Sequence, residues 1–274
     1  MSDHPIKTIN PLTEQVLHTY AYMSDAEAAE TVKASHEAFL QWRLRSLEER
    51  AEVMTAIARK LEEKKEAFAQ LMTDEVGKLI GDSRSEVDLC VAICKYTAEQ
   101  GPKVLADEER PSANGIGIVT HQPIGVVYGI QPWNFPAYQA VRYSIASLMA
   151  GNGVLLKHAE SCTGSGLFLR DLYEEAGLPK GLFGVLLISH EQSDAIIDHD
   201  LVRAVTLTGS EKAGRTVAEK AGKALKKTML ELGSNDAYLV LDDADLELAV
   251  KTCVKGRLFN NGQTCVNAKR FIVT

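Results

Sequence analysis

The chain lacks the features that mark several protein classes. No apolar run approaches the roughly 20 residues of a membrane-spanning helix, so no membrane association is expected. Positive charge is in deficit: 30 Lys and Arg face 37 Asp and Glu, a formal net charge of −7. That balance argues against a nucleic-acid partner, because phosphate binding needs a basic surface. Cysteine is scarce, at five residues, an odd number without the spacing of a disulfide framework or a zinc site. Such usage suits a reducing cytoplasm. The N-terminal stretch Met1-Ser2-Asp3-His4-Pro5 has neither a basic nor an apolar region, so no secretory signal is expected. Repeats and low-complexity tracts are absent too. What remains is an ordinary globular composition, 45% hydrophobic and 24% charged, in 274 residues. That length suits one large domain or two.

Periodicity divides the chain into two parts. Residues 6–23 read as strand, turn at Asn10-Pro11, and strand. Asp25 is expected to cap a helix reaching about Trp42. Ser46 and Glu49 form a capping-box pattern for the next helix. Its apolar residues Leu47, Ala51, Met54, Ala58 and Leu61 step along one helical face. The Lys/Glu cluster at 62–66 reads as a solvated face. A further helix is expected over 81–100, with Val87, Val91, Cys94 and Ala98 on one side. Cys90 and Cys94 stand one helical turn apart, but no second ligand pair is near, so they read as core thiols and no metal site is expected. Residues 105–122 read as a hairpin. Gly115-x-Gly117 is no nucleotide fingerprint, because the third Gly and the following helix are missing. From residue 124 strands and helices alternate, with strands expected at 126–130, 154–157, 184–188, 205–208, 229–231 and 237–241. Alternation of this kind implies a parallel sheet covered on both faces. Ligands of such sheets bind at the carboxyl ends of the strands.

Two residues suggest chemistry. Glu231 ends a strand-like run, and Cys265 lies in a Gly/Asn-rich loop beyond an amphipathic segment starting near Asp245. A thiol and a carboxylate are the parts needed for covalent catalysis followed by hydrolysis. A single cysteine is more often packing than nucleophile, so the flanking residues decide. They form five stretches in order: Pro132-Trp133-Asn134-Phe135-Pro136, Leu155-Leu156-Lys157-His158-Ala159-Glu160, Thr206-Leu207-Thr208-Gly209-Ser210, Leu230-Glu231-Leu232-Gly233 and Gly262-Gln263-Thr264-Cys265. Together they resemble the aldehyde dehydrogenase superfamily over nearly the whole chain. Lys157-His158-Ala159 and Asn267-Ala268-Lys269-Arg270-Phe271-Ile272 are similar to the bacterial succinate-semialdehyde dehydrogenases within it.

The resemblance implies an α/β fold with a Rossmann-like parallel sheet and helices on both faces. The dinucleotide-binding domain would comprise 1–104 and 123–252, and 105–122 would be an oligomerisation arm. Residues 253–274 would open a catalytic domain that is largely missing, and a homo-oligomer is implied for the full-length form. Cys265 would be the nucleophile, attacking an aldehyde to give a thiohemiacetal and then a thioester. Asn134 would donate to the oxyanion, helped by the Cys265 backbone N–H. Glu231 would be the general base that activates water, a role suited to partial burial. Lys157 and Glu160 would hold the adenine-side ribose of NAD. A carboxylate there repels a 2′-phosphate, so NAD is favoured while NADP remains possible. Gly209 and Ser210 begin a helix suited to the pyrophosphate, and Trp133 and Leu232 would line the nicotinamide end. Arg142, eight residues after Asn134, would grip the carboxylate of a substrate such as succinate semialdehyde. One local departure is Ser234, where the family commonly has a second Gly. Three other readings stand: an NAD-binding module without turnover, a fragment with no function of its own, and, more weakly, a Cys–His hydrolase, for which no His stands in a motif beside Cys265.

Overall fold

A computed structural model describes residues 4–274. The first three residues, part of the N-terminal stretch read for a signal, lie outside the described residues. Strands β1 (Ile6–Ile9) and β2 (Val16–Tyr20) pair antiparallel about the Asn10 turn. The Asn10 side chain accepts from the N–H groups of Leu12 and Thr13 and so closes that turn. Helix α1 (Asp25–Trp42) is capped by Ser24, in a capping box with Glu27, and not by Asp25 as expected. Both residues are cap formers, but only Ser24 has a carboxylate three positions on to return the bond. Helix α2 (Leu47–Glu63) has the expected Ser46–Glu49 box and buries Met54, Ala58 and Leu61. It is followed by α3 (Lys65–Val76) and α4 (Ile80–Leu105). The latter is longer than the expected 81–100. Charges of the 62–66 cluster make exposed ion pairs, among them Lys65–Asp88 and Glu62–Lys95.

Strands β3 (Glu108–Ser112) and β4 (Gly115–Val119) form the expected hairpin, and every residue in both is exposed. The central sheet then follows: β5 (Val126–Gln131), α5 (Pro136–Met149), β6 (Gly153–His158), α6 (Thr163–Glu175), β7 (Phe183–Val185), α7 (His190–Asp198), β8 (Val202–Thr208), α8 (Glu211–Lys223) and β9 (Lys227–Glu231). All five strands run parallel in the order β7-β6-β5-β8-β9. Strand β7 stops at Val185, short of the expected Ile188. The Leu187 carbonyl instead accepts from the Met23 N–H, which draws the chain toward α1. One apolar core lies between the sheet and α2, α4, α5 and α6; a second, with α1, α7 and α8, lies on the opposite face. Cys90 and Cys94 are fully buried in the first, and burial pushes the Cys94 thiol up to about 12.

Beyond β9 the expected extension of the sheet does not occur. Strand β10 (Ala237–Val240) pairs in parallel with β11 (Arg270–Val273) as a separate two-stranded sheet, bridged by α9 (Leu246–Leu258). A domain division at 252/253 therefore cuts through a continuous helix and parts two paired strands. A short apolar run such as Tyr238-Leu239-Val240 fits any parallel ladder, so its sequence did not reveal which sheet it joins. No residue of α9 is buried, and Leu246, Leu248, Val250, Val254 and Leu258 are exposed.

Candidate active site

The sheet brings the motif residues to one edge. Gln131 pairs with His158, and Thr208 with Glu231, so four of the central strands end level with one another. The residues just beyond those ends are 132–136, 159–160, 209–210 and 232–233. The 132–136 segment is held at its far end by two side chains. Glu86 of α4 accepts from the N–H groups of Ala137 and Tyr138, each at 2.8 Å, and so caps α5. His158 Nε2 donates to the Pro136 carbonyl at 2.9 Å, while its Nδ1 accepts from the Ala159 N–H at 3.0 Å. Burial pushes the His158 imidazole down to about 4, so it stays neutral and ties β6 to the loop. Cys162 sits against the same ring, with Sγ 3.1 Å from Nδ1. It is buried in a 3₁₀ turn, and burial pushes its thiol well up.

Asn134 and the Cys265 loop meet directly. Asn134 Nδ2 donates to the Gln263 carbonyl at 2.8 Å, and Asn260 Nδ2 donates to the Asn134 carbonyl at 2.9 Å. A primary amide has two N–H donors, so one remains for an oxyanion. The loop turns through Asn260, Asn261 and Gly262, all with positive φ. Gly262, at φ +73°, supplies that conformation without steric cost. Cys265 itself is half-buried. On its other side the Ser234 hydroxyl donates to the Cys265 carbonyl at 3.0 Å, and Lys269 Nζ bridges the Ser234 and Cys265 carbonyls at 2.7 Å each. Ser234, the departure from the family pattern, thus links the strand end carrying Glu231 to the Cys265 loop.

Glu231, at the end of the edge strand β9, is exposed, against the partial burial expected. Its Oε1 lies 3.5 Å from Arg142 Nη1. Glu231 and Arg142 therefore face each other in an open ion pair, a contact that residue spacing did not reveal. Arg142 also lies over the Tyr138 ring, at 5.7 Å from its centroid. An open groove of about 490 Å³ runs beneath Arg142 along β8 and β9. Its lining is otherwise mostly apolar, and it sits on the sheet face rather than at the strand ends, so no chemistry is placed there.

The helix N-termini at this edge differ in what fills them. Glu86 caps α5. Buried Glu75 caps α6, accepting from the Gly164 and Ser165 N–H groups and the Ser165 hydroxyl. Ser189 and Gln192 box α7. Helix α8 is closed by the Ser210 hydroxyl alone, bonded to the Ala213 N–H. A dinucleotide diphosphate fits the N-terminus that no internal carboxylate or amide fills. Leu232 packs so close to α8 that a Cβ on Gly214 would lie 2.6 Å from its Cδ2. Lys157 is buried at the end of β6, its ammonium pushed down by burial. Glu160 is exposed and accepts from the Tyr22 hydroxyl at 2.6 Å. Trp133 is 42% exposed, open to a ligand lying across the edge. A dinucleotide along β6, β5 and α8 fits these groups.

The full chain, residues 1–274, matches the aldehyde dehydrogenase family model. The chain belongs to the aldehyde dehydrogenase family. Its relatives include the succinate-semialdehyde dehydrogenase [NADP(+)] of Deinococcus radiodurans, 41% identical over 99% of this chain and 57% of the relative. A probable succinate-semialdehyde dehydrogenase [NADP(+)] of Synechocystis is 39% identical, covering 98% of this chain and 59% of its own. Among solved structures, the succinic semialdehyde dehydrogenase of Streptococcus pyogenes in complex with NADP+ superposes with a TM-score of 0.95 at 39% identity, covering 98% of this chain and 59% of that one. This aldehyde dehydrogenase chain thus spans 57% and 59% of the lengths of the two curated relatives. Among the described residues no helix is long and apolar enough to cross a membrane.

Four contributors escaped the sequence reading. Lys78, Glu86, Asn260 and Asn261 all hold the loops of the site, through bonds that join distant parts of the chain. Only the positive-φ preference of Asn gave a local signal for the last two.

Proposed function

We propose that this aldehyde dehydrogenase chain carries the nucleophile, oxyanion donor and dinucleotide-binding edge of an NAD(P)-dependent enzyme that oxidises succinate semialdehyde to succinate. The observation that carries the reading is the direct bond from the Asn134 amide to Gln263, two residues before Cys265. That bond ties the Asn134 amide to the loop that carries the Cys265 thiol, and an amide donor near the thiol is what thiohemiacetal formation needs. The Cys265 thiolate adds to the aldehyde carbon, and the oxygen takes the negative charge. The second Asn134 N–H and the Cys265 backbone N–H donate hydrogen bonds to that oxyanion. A bound nicotinamide dinucleotide supplies the hydride acceptor that leaves a thioester on Cys265. Glu231 then takes a proton from water, the hydroxide adds to the thioester carbon, and the C–S bond breaks to release the acid and the thiolate. Arg142 pairs with the distal carboxylate of the substrate, which the neutral end of other aldehydes lacks. Lys157 and Glu160 hold the adenine-side ribose, and Ser210 caps the diphosphate site. The relatives named above are NADP(+) enzymes, whereas an acidic Glu160 disfavours a 2′-phosphate; NAD is the cofactor proposed first, with NADP second. The exposed β3–β4 hairpin is proposed as the arm that joins subunits.

A second reading rests on α9. With no residue of that helix buried, the 274-residue chain alone binds dinucleotide but holds the Cys265 loop too loosely for turnover. A displacement of about 1 Å can cost 10²-fold. Dinucleotide titration together with aldehyde-dependent formation of reduced cofactor separates the two. Binding with turnover supports the first reading, and binding without it supports the second. Absence of binding removes both.

A further inference from the structure

Lys78 and Glu86 form an ion pair that is almost fully closed to solvent, with side chains 3% and 1% exposed. Buried pairs of this kind seldom add stability over an apolar pair of the same size, so their retention asks for another reason. The partners of this pair supply one. Glu86 uses its Oε1 to hold the Ala137 and Tyr138 N–H groups and its Oε2 to meet Lys78. Lys78 Nζ reaches the Asn134 carbonyl at 3.5 Å and lies 4.0 Å from the centroid of the Phe135 ring. The same Asn134 carbonyl accepts from Asn260 in the nucleophile loop. The residue before Lys78 joins in as well: the Gly77 carbonyl accepts from Asn261 Nδ2 at 3.2 Å. Phe135 and Phe259 pack with ring centroids 6.2 Å apart. The junction between α3 and α4 therefore grips both segments of the candidate site, although it contributes no group to the chemistry.

We infer that the Lys78–Glu86 pair is a positioning clasp that fixes the 132–136 segment and, through the Asn134 and Gly77 carbonyls, sets the 259–265 loop carrying Cys265 against the Asn134 amide. The inference rests on the reading of Cys265 and Asn134 given above only for what the clasp is for; the clasp itself is a statement about two loops. Glu86 fixes the start of α5 and thus where the segment ends. Lys78 neutralises Glu86 and draws the Asn134 carbonyl inward, which leaves the Asn134 side chain directed at Gln263. Phe135 covers the ammonium, and its face favours the cation.

The test is amide hydrogen exchange on the whole 274-residue chain, read by mass spectrometry of its peptides. Lys78→Met, Lys78→Arg and the double variant Lys78→Met/Glu86→Gln are compared with the parent. The double variant removes both charges together, so it avoids leaving one buried and unpaired and is the form expected to fold if Lys78→Met alone does not. Peptides over 132–138 and 257–266 should exchange roughly tenfold faster or more in the double variant, while those of α2 and α6 keep their parent rates. Lys78→Arg, which keeps the cation, should restore most of the protection. A pair that serves the core alone predicts faster exchange throughout, or an unchanged 257–266 peptide in the double variant, and either result overturns the inference. Exchange needs neither cofactor nor turnover, so this result stands apart from the activity assays that test the proposed function.

Discussion

Replacing His158 with Gln tests how the β6 end holds the Asn134 segment, and its size follows from the structure. The imidazole is buried between the Pro136 carbonyl and the Ala159 N–H, with Lys157 and the Cys162 thiol as its nearest titratable neighbours. Burial moves its pKa from 6.5 down to about 4. A depressed histidine favours the neutral form in the folded state, so the unfolded chain binds more protons between those values. Stability from this group is therefore complete above pH 6.5 and is lost as pH falls toward 4. Linkage gives a loss of about 2 kcal/mol on going from neutral pH to about pH 5, and about 3 kcal/mol below both values. Glutamine retains an N–H donor for Pro136 but cannot take up a proton in this range. Urea unfolding of parent and variant at neutral pH and at about pH 5, converted through the m-value, isolates the term as the difference of two differences. Buried Glu75 and Glu86, both pushed up by burial, act with the opposite sign in both proteins and cancel. The same loss of stability on acidification in parent and variant would refute the assignment of a buried neutral imidazole.

Two predictions concern ligands. Glu160→Thr should narrow a preference for NAD over NADP, because the variant removes the carboxylate that faces a 2′-phosphate; binding isotherms for both cofactors check it, and equal affinities in the parent would refute the argument. In a protein that turns over, Arg142→Ala should raise KM for succinate semialdehyde about 10- to 150-fold relative to an uncharged aldehyde of similar length, the worth of a charge-assisted bond of about 1.5–3 kcal/mol. Steady-state kinetics with both aldehydes decide it, and parallel losses would show that Arg142 acts only through its contact with Glu231.

The parts legible in the sequence were those written in short windows. Alternating strands and helices after residue 124 revealed the parallel sheet, and the motifs of residues 132–233 lie at or just past its strand ends, whereas 262–265 follows α9. The Ser46–Glu49 box was legible because both partners sit within one turn. Long-range facts were not. Lys78 and Glu86 look like any charges in and beside a helical segment, and only folding brings Lys78 to the Asn134 carbonyl and Glu86 to the start of α5. The exposure of Glu231 depends on what covers the edge of β9, which no local pattern encodes. Strand β10 left the main sheet because its partner lies further along the chain, in β11, where Arg270 pairs with Ala237. Arg142 meeting Glu231 across α5 and β9 belongs to the same class.

The central claim is that Cys265 carries the acyl group and Glu231 releases it. Its most direct test is mass spectrometry of peptides from protein quenched during reaction with succinate semialdehyde and dinucleotide. The account predicts a succinyl thioester on the Cys265 peptide, accumulating in Glu231→Gln and absent from Cys265→Ala, which should still bind dinucleotide. Undiminished turnover by Cys265→Ala, or an adduct on Cys253 in place of Cys265, would contradict it.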